Sequence, residues 1–84
     1  ESRLKDKGTP ENELMREEIS RTVYKTIAEL PEDLRTAIML REMEGMSYED
    51  IALTMDCPIG TVRSRIFRAR EAIDEKLKPL VEGD

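Results

Sequence analysis

The stretch Ser47-Tyr48-Glu49-Asp50-Ile51-Ala52-Leu53-Thr54-Met55-Asp56-Cys57-Pro58-Ile59-Gly60-Thr61-Val62-Arg63-Ser64-Arg65-Ile66 decides the fold. Ser47 followed by acids has the pattern of a capping box, in which the serine oxygen takes a backbone N–H one turn on and the acid reaches back. A short helix over about 48–55 follows, with Ile51, Ala52 and Met55 inward. Asp56-Cys57-Pro58 breaks it, because a proline disfavours helical geometry in the residue before it and presets the chain for the helix after. A longer helix runs from about Ile59 to near Leu77, and Pro79 and Gly83 end its regular pattern. Small Ala52 inside the first helix and branched Val62 inside the second complete a helix-turn-helix pattern, since a small residue lets two helices approach closely. Plain helical hairpins share this pattern, and the outer face of the second helix has to separate the two readings.

The rest of the chain reads as helix as well. Thr9-Pro10-Glu11 is a helix start, with Thr9 as N-cap and Pro10 at the first position, where its missing N–H costs nothing. The helix over about 10–29 has the stripe Leu14, Met15, Ile19, Val23, Ile27 and Leu30, spaced three and four apart. Pro31 ends it and opens a helix over about 32–44, where Leu34, Ala37, Ile38 and Met43 make the apolar face and Gly45 supplies the left-handed stop. Four helices and no strand candidate predict an all-α fold, a four-helix domain containing a helix-turn-helix. Residues 1–9, mostly charged, read as a flexible linker from an upstream region, and 10–84 as one domain. The start at Glu1 rather than a methionine suits a piece of a longer protein.

Composition narrows the function. A chain of 84 residues holds one small core and no deep cleft, and 38% hydrophobic with 39% charged residues describes a water-facing protein. No run longer than six residues, Cys57 to Val62, lacks a charge, which predicts no membrane insertion and no secretory signal and hence a cytoplasmic protein. One cysteine and no histidine allow neither an internal disulfide nor the usual zinc frameworks. The carboxylate pairs Glu17/Glu18 and Glu32/Asp33 have no histidine, lysine pocket or metal set around them and read as solvated helix faces. No enzyme, metal or cofactor is expected. Cys57 is expected to be a small buried space-filler in the turn, and Met15, Met39, Met43, Met46 and Met55 to join the core, Met46 with a second possibility as an adaptable partner surface.

On a helical wheel Val62, Ile66, Ala69, Ile73 and Leu77 of the last helix fall in one sector and must face the core. The opposite side carries Gly60, Thr61, Arg63, Ser64, Phe67, Arg68 and Glu71. Residues 63–70 hold four arginines and no acid, in a chain that otherwise has 19 acids against 10 basic residues. Phe67, the only phenylalanine, lies on this polar side, where folding alone gives no reason for it. It either bends round to the edge of the core or offers apolar contact to a base edge or a partner's groove. Arg63 and Arg68 have the fork geometry to grip phosphates or the acceptor edge of guanine, the alternative for each being a charge paired with a nearby acid such as Glu71 or Asp74. Gly60, Thr61 and Ser64 let the helix N-terminus approach an anionic backbone.

Leu30-Pro31-Glu32-Asp33-Leu34-Arg35, Leu40-Arg41-Glu42, Gly45 to Ala52 and Cys57 to Glu71 together resemble region 4 of the extracytoplasmic-function bacterial sigma factors, of the sigma-E/AlgU envelope-stress type. The resemblance covers about 10–80. It implies recognition of the promoter −35 element in the major groove as part of RNA polymerase holoenzyme. Carried over, it makes Gly60, Thr61, Arg63, Ser64, Phe67 and Arg68 readers of base and backbone, with Arg41 and Tyr48 on phosphates from the supporting helices. It also implies docking on the flap of the polymerase β subunit, sequestration by an anti-sigma factor, and a monomer on one asymmetric element. A helical module that binds protein partners without touching DNA is the rival reading, and a dimeric regulator of the LuxR type is another.

The net charge of −5 argues against a nucleic-acid binder until it is divided by position. Residues 1–56 carry 14 acids against 8 basic side chains, and residues 57–84 carry 5 against 6. The acid lies away from the expected DNA face, which predicts weak binding by the domain alone.

Overall fold

The computed structural model of the chain describes residues 10–82. Those residues form four helices: α1 (Pro10–Glu29), α2 (Glu32–Glu42), α3 (Tyr48–Met55) and α4 (Ile59–Glu82). The predicted all-α class and the helix-turn-helix are present. The expected N-cap Thr9, the linker at 1–9 and the stop at Gly83 lie outside the described residues.

Each break has a local cause. Between α1 and α2 the Leu30 carbonyl accepts a guanidinium N–H from Arg35 at 2.8 Å, and the Pro31 carbonyl accepts the Arg35 amide at 2.9 Å. The α2–α3 turn uses Gly45 at φ +70, a backbone region glycine enters without steric cost. There the Met46 amide donates back to the Leu40 carbonyl at 3.1 Å. Ser47 then caps α3, its Oγ accepting the Asp50 N–H at 3.0 Å. In the α3–α4 turn Asp56 takes the left-handed conformation at φ 55, ψ 55, and the Cys57 amide donates to the Ala52 carbonyl at 3.0 Å. The Pro58 carbonyl starts α4 by accepting the Thr61 and Val62 amides at 3.0 and 3.2 Å.

One core joins all four helices: Ile27 and Leu30 of α1 and its end, Ala37 and Ile38 of α2, Ile51 of α3, and Val62, Ile66 and Ala69 of α4. Val23, Leu34, Met46, Ala52, Met55 and Ile73 pack half-buried around it. Thr26 is buried too, and its hydroxyl donates to the Thr22 carbonyl at 2.7 Å, which satisfies it inside the helix. At roughly 1.5–3 kcal/mol per fully buried large aliphatic side chain, the Ile38, Ile51, Val62 and Ile66 cluster is the main anchor of the fold.

Several expectations are corrected. Leu14 and Met15 belong to the predicted α1 stripe but are exposed, because the core closes over the other half of that helix, at Thr26, Ile27 and Leu30. Met43 is exposed as well, since α2 ends at Glu42 and the chain turns away before Met43 can face inward. Met39 is likewise exposed, leaving Met46 and Met55 as the methionines packed on the core. Cys57 is half-buried rather than buried. Pro79 does not stop α4, which continues to Glu82. A proline fits helical φ and removes one amide donor, here the partner of the Glu75 carbonyl. Glu75 is exposed and water can satisfy that oxygen, while Leu77 and Leu80 stay half-buried.

Candidate nucleic-acid interface

Burial of Val62, Ile66 and Ala69 at 0 to 1% exposure fixes the rotation of α4, and the opposite face is thereby aimed outward. Gly60, Arg63, Ser64, Phe67 and Arg68 are exposed there and Thr61 is half-buried. Phe67 is 63% exposed, which excludes the reading that it folds back over the edge of the core. Gly60 has helical geometry, and a Cβ built on it would meet nothing within 4 Å. Nothing inside the fold therefore requires a glycine at the second position of the helix. An empty space at that point leaves the backbone open to close approach from outside.

The four arginines of 63–70 divide into two pairs. Arg65 turns toward α2, with Nε 3.6 Å from an Asp33 carboxylate oxygen and a guanidinium N–H donated to Cys57 Sγ at 3.7 Å. Arg70 donates to Glu42 Oε2 at 2.6 Å, and that hydrogen bond holds the Arg70 guanidinium above its ordinary pKa. These two tie α4 to α2. Arg63 and Arg68 have no carboxylate within ion-pair distance among the described residues. The local acids suggested by the sequence, Glu71 and Asp74, pair with none of the four.

The two supporting residues lie on one side of this face. Arg41, at the end of α2, sits over the Tyr48 ring at 4.9 Å from its centroid and donates to the Met46 carbonyl at 2.7 Å. Arg63 lies over the same ring at 5.9 Å. The Ser47 cap sets the start of α3 and with it the place of Tyr48, which is half-buried. Arg41, Tyr48 and Arg63 are thus brought together from three helices. Asp33, Glu42 and Cys57, which anchor the neighbouring arginines, were not expected from the sequence. Their partners are distant along the chain, and no local spacing signals them.

Residues 20–73 match the family described as sigma-70, region 4. The chain belongs to that family. Over 78 residues, 93% of its length, this region 4 chain is 67% identical to the RNA polymerase sigma-H factor of Pseudomonas aeruginosa. Over the same share it is 65% identical to the ECF RNA polymerase sigma-E factor of Haemophilus influenzae and 63% identical to that of Escherichia coli K12. It spans 40 to 41% of the length of these curated relatives. Region 4 is a helix-turn-helix domain with a DNA-binding rather than an enzymatic part in transcription, and here α3, the turn at Asp56-Cys57-Pro58 and α4 supply the motif. No helix among the described residues is long and apolar enough to cross a membrane.

Proposed function

We propose that this region 4 domain recognises the promoter −35 element within RNA polymerase holoenzyme, with the outer face of α4 in the major groove. The observation that carries the reading is Phe67: a large apolar side chain, 63% exposed, between two arginines that have no acidic partner among the described residues, and in line with Gly60. A major groove offers each of these its complement, namely thymine methyls, phosphates, guanine acceptors and a wall the backbone can approach. Gly60, Thr61, Arg63, Ser64, Phe67 and Arg68 are the proposed readers of base and backbone, and Arg41 and Tyr48 the phosphate contacts. The regulon would be of the envelope-stress type, in keeping with relatives named as ECF sigma-E factors.

Protein partners complete the reading. Docking on the β-subunit flap of core polymerase and capture by an anti-sigma factor both need apolar surface off the DNA face. Leu14, Met39, Met43 and Leu53, none of them on α4, supply it, all more than 40% exposed. The domain would act in the cytoplasm as a monomer on one asymmetric element. The test is a nuclease footprint of holoenzyme containing a factor with this region 4 on a candidate promoter, beside the same footprint with the domain alone. Protection of a single −35 stretch by holoenzyme supports the proposal. Protection of two symmetric half-sites, or none upstream of −10, contradicts it.

A further inference from the structure

Arg63 and Arg68 lie on different sides of α4. At about 100° per residue, Gly60, Ser64, Phe67 and Glu71 form the middle of the outer face, with Arg63 and Arg70 on one flank and Arg65 and Arg68 on the other. The ion pairs agree with this division, Arg70 reaching Glu42 near the end of α2 and Arg65 reaching Asp33 near its start. Arg63's flank faces Tyr48, whose ring carries the Arg63 guanidinium at 5.9 Å and that of Arg41 at 4.9 Å. Arg41 is held in place by the Met46 carbonyl. Two guanidinium groups lie over one ring, and among the described residues neither has a carboxylate within ion-pair distance, since Glu42 on this flank pairs with Arg70. The ring attracts each cation by roughly 0.5–1 kcal/mol at an exposed site and leaves both charges available to an outside anion. An anionic backbone passing both arginines supplies the countercharge.

We propose that Tyr48 is a positioning residue, whose ring holds Arg63 beside Arg41 so that both guanidinium groups meet one stretch of phosphate backbone. Arg63 then supplies affinity without reading a base, and base reading by arginine falls to Arg68 on the other flank. The inference rests on the DNA reading given above and deepens it. It separates two residues that share a face and a side-chain type by what holds each of them.

The experiment selects the 84-residue chain and its variants against a duplex library randomised over one helical turn, then measures salt dependence on the duplexes the parent prefers. Arg63→Ala is expected to weaken every duplex by a similar factor, leave the base preferences unchanged, and make the slope of log K against log salt shallower by about one. Tyr48→Leu is expected to do the same, while Tyr48→Phe, which keeps the ring but loses the hydroxyl's own phosphate contact, is expected to weaken binding by a smaller factor than Tyr48→Leu. Arg68→Ala is expected to flatten preference at one base pair. The clamp is overturned if Arg63→Ala flattens a single position, if Tyr48→Leu folds and binds like the parent, or if Tyr48→Phe loses as much as Tyr48→Leu. Arg63 is exposed, and its arm of the test stands whether or not Tyr48→Leu folds. If the parent chain binds no duplex even at low salt, the clamp falls, and the DNA reading is judged separately by the holoenzyme footprint; a binding parent with a flattened Arg63→Ala profile removes the clamp alone.

Discussion

Gly60 stands at the second position of α4, where alanine favours a helix by roughly 0.5–1 kcal/mol and where this fold has open space for a methyl group. The glycine works against stability, and a residue that does so at an outward face points to contact with something outside the fold. Gly60→Ala is therefore expected to raise the melting temperature in a calorimetric scan while weakening binding to promoter DNA. A stabler variant with undiminished DNA binding would remove Gly60 from the interface. Arg65 has the opposite logic. It lies against Asp33 and Cys57 with a quarter of its side-chain surface exposed, and Arg65→Ala should lower stability by no more than about 1 kcal/mol, as expected of a partly exposed ion pair. DNA affinity should fall only by the share due to its charge. The Arg65 and Arg70 partners were not legible in the sequence, because the sequence offers neighbours along a helix and these side chains reach across to α2. Arg63 and Arg68, by contrast, were legible as outward residues from the wheel alone.

At the scale of the elements, the helix-turn-helix was written plainly in local chemistry. Ser47 caps α3 as its spacing implies, and Ser47→Ala is expected to cost about 1 kcal/mol in denaturant unfolding. The serine half of the capping box is present, but among the described residues no return bond from Asp50 to the Ser47 amide accompanies it. The turn holds a device the sequence shows less clearly, the left-handed Asp56. Glycine is the usual signal for that conformation, and aspartate is one of the few other residues that adopt it. Asp56→Gly should be close to neutral and Asp56→Val should cost about 1–2 kcal/mol, read from the same unfolding curves. The misjudged ends share one cause. Periodicity says which side chains line up on one face but not how far the neighbouring helices extend to cover them, which is why Leu14, Met15 and Met43 are exposed. Pro79 was read as a stop because a proline costs a hydrogen bond, yet in an exposed last turn that cost is small.

For the molecule as a whole, charge is the organising quantity. An acidic chain of net charge −5 carries one face with two arginines that have no acidic partner among the described residues, and a third, Arg41, over the same Tyr48 ring as Arg63. Two to four phosphate contacts would give the isolated domain a log K against log salt slope of about −2 to −4, well short of a large DNA-binding protein. The domain alone should thus bind weakly, and more weakly still as salt rises. A salt-insensitive affinity would favour the apolar protein-binding reading instead. Asp33 and Glu42 fasten Arg65 and Arg70 to the body, which leaves Arg63 and Arg68 for the proposed contacts to phosphate and groove. The measurement that tests this account most directly compares Phe67→Ala, Arg68→Ala and Arg70→Ala for promoter −35 binding and for thermal stability. The account predicts large losses of binding for the first two, a small one for Arg70→Ala, and little change in unfolding for Phe67→Ala. Equal losses for all three, or collapse of the fold with Phe67→Ala, would contradict it.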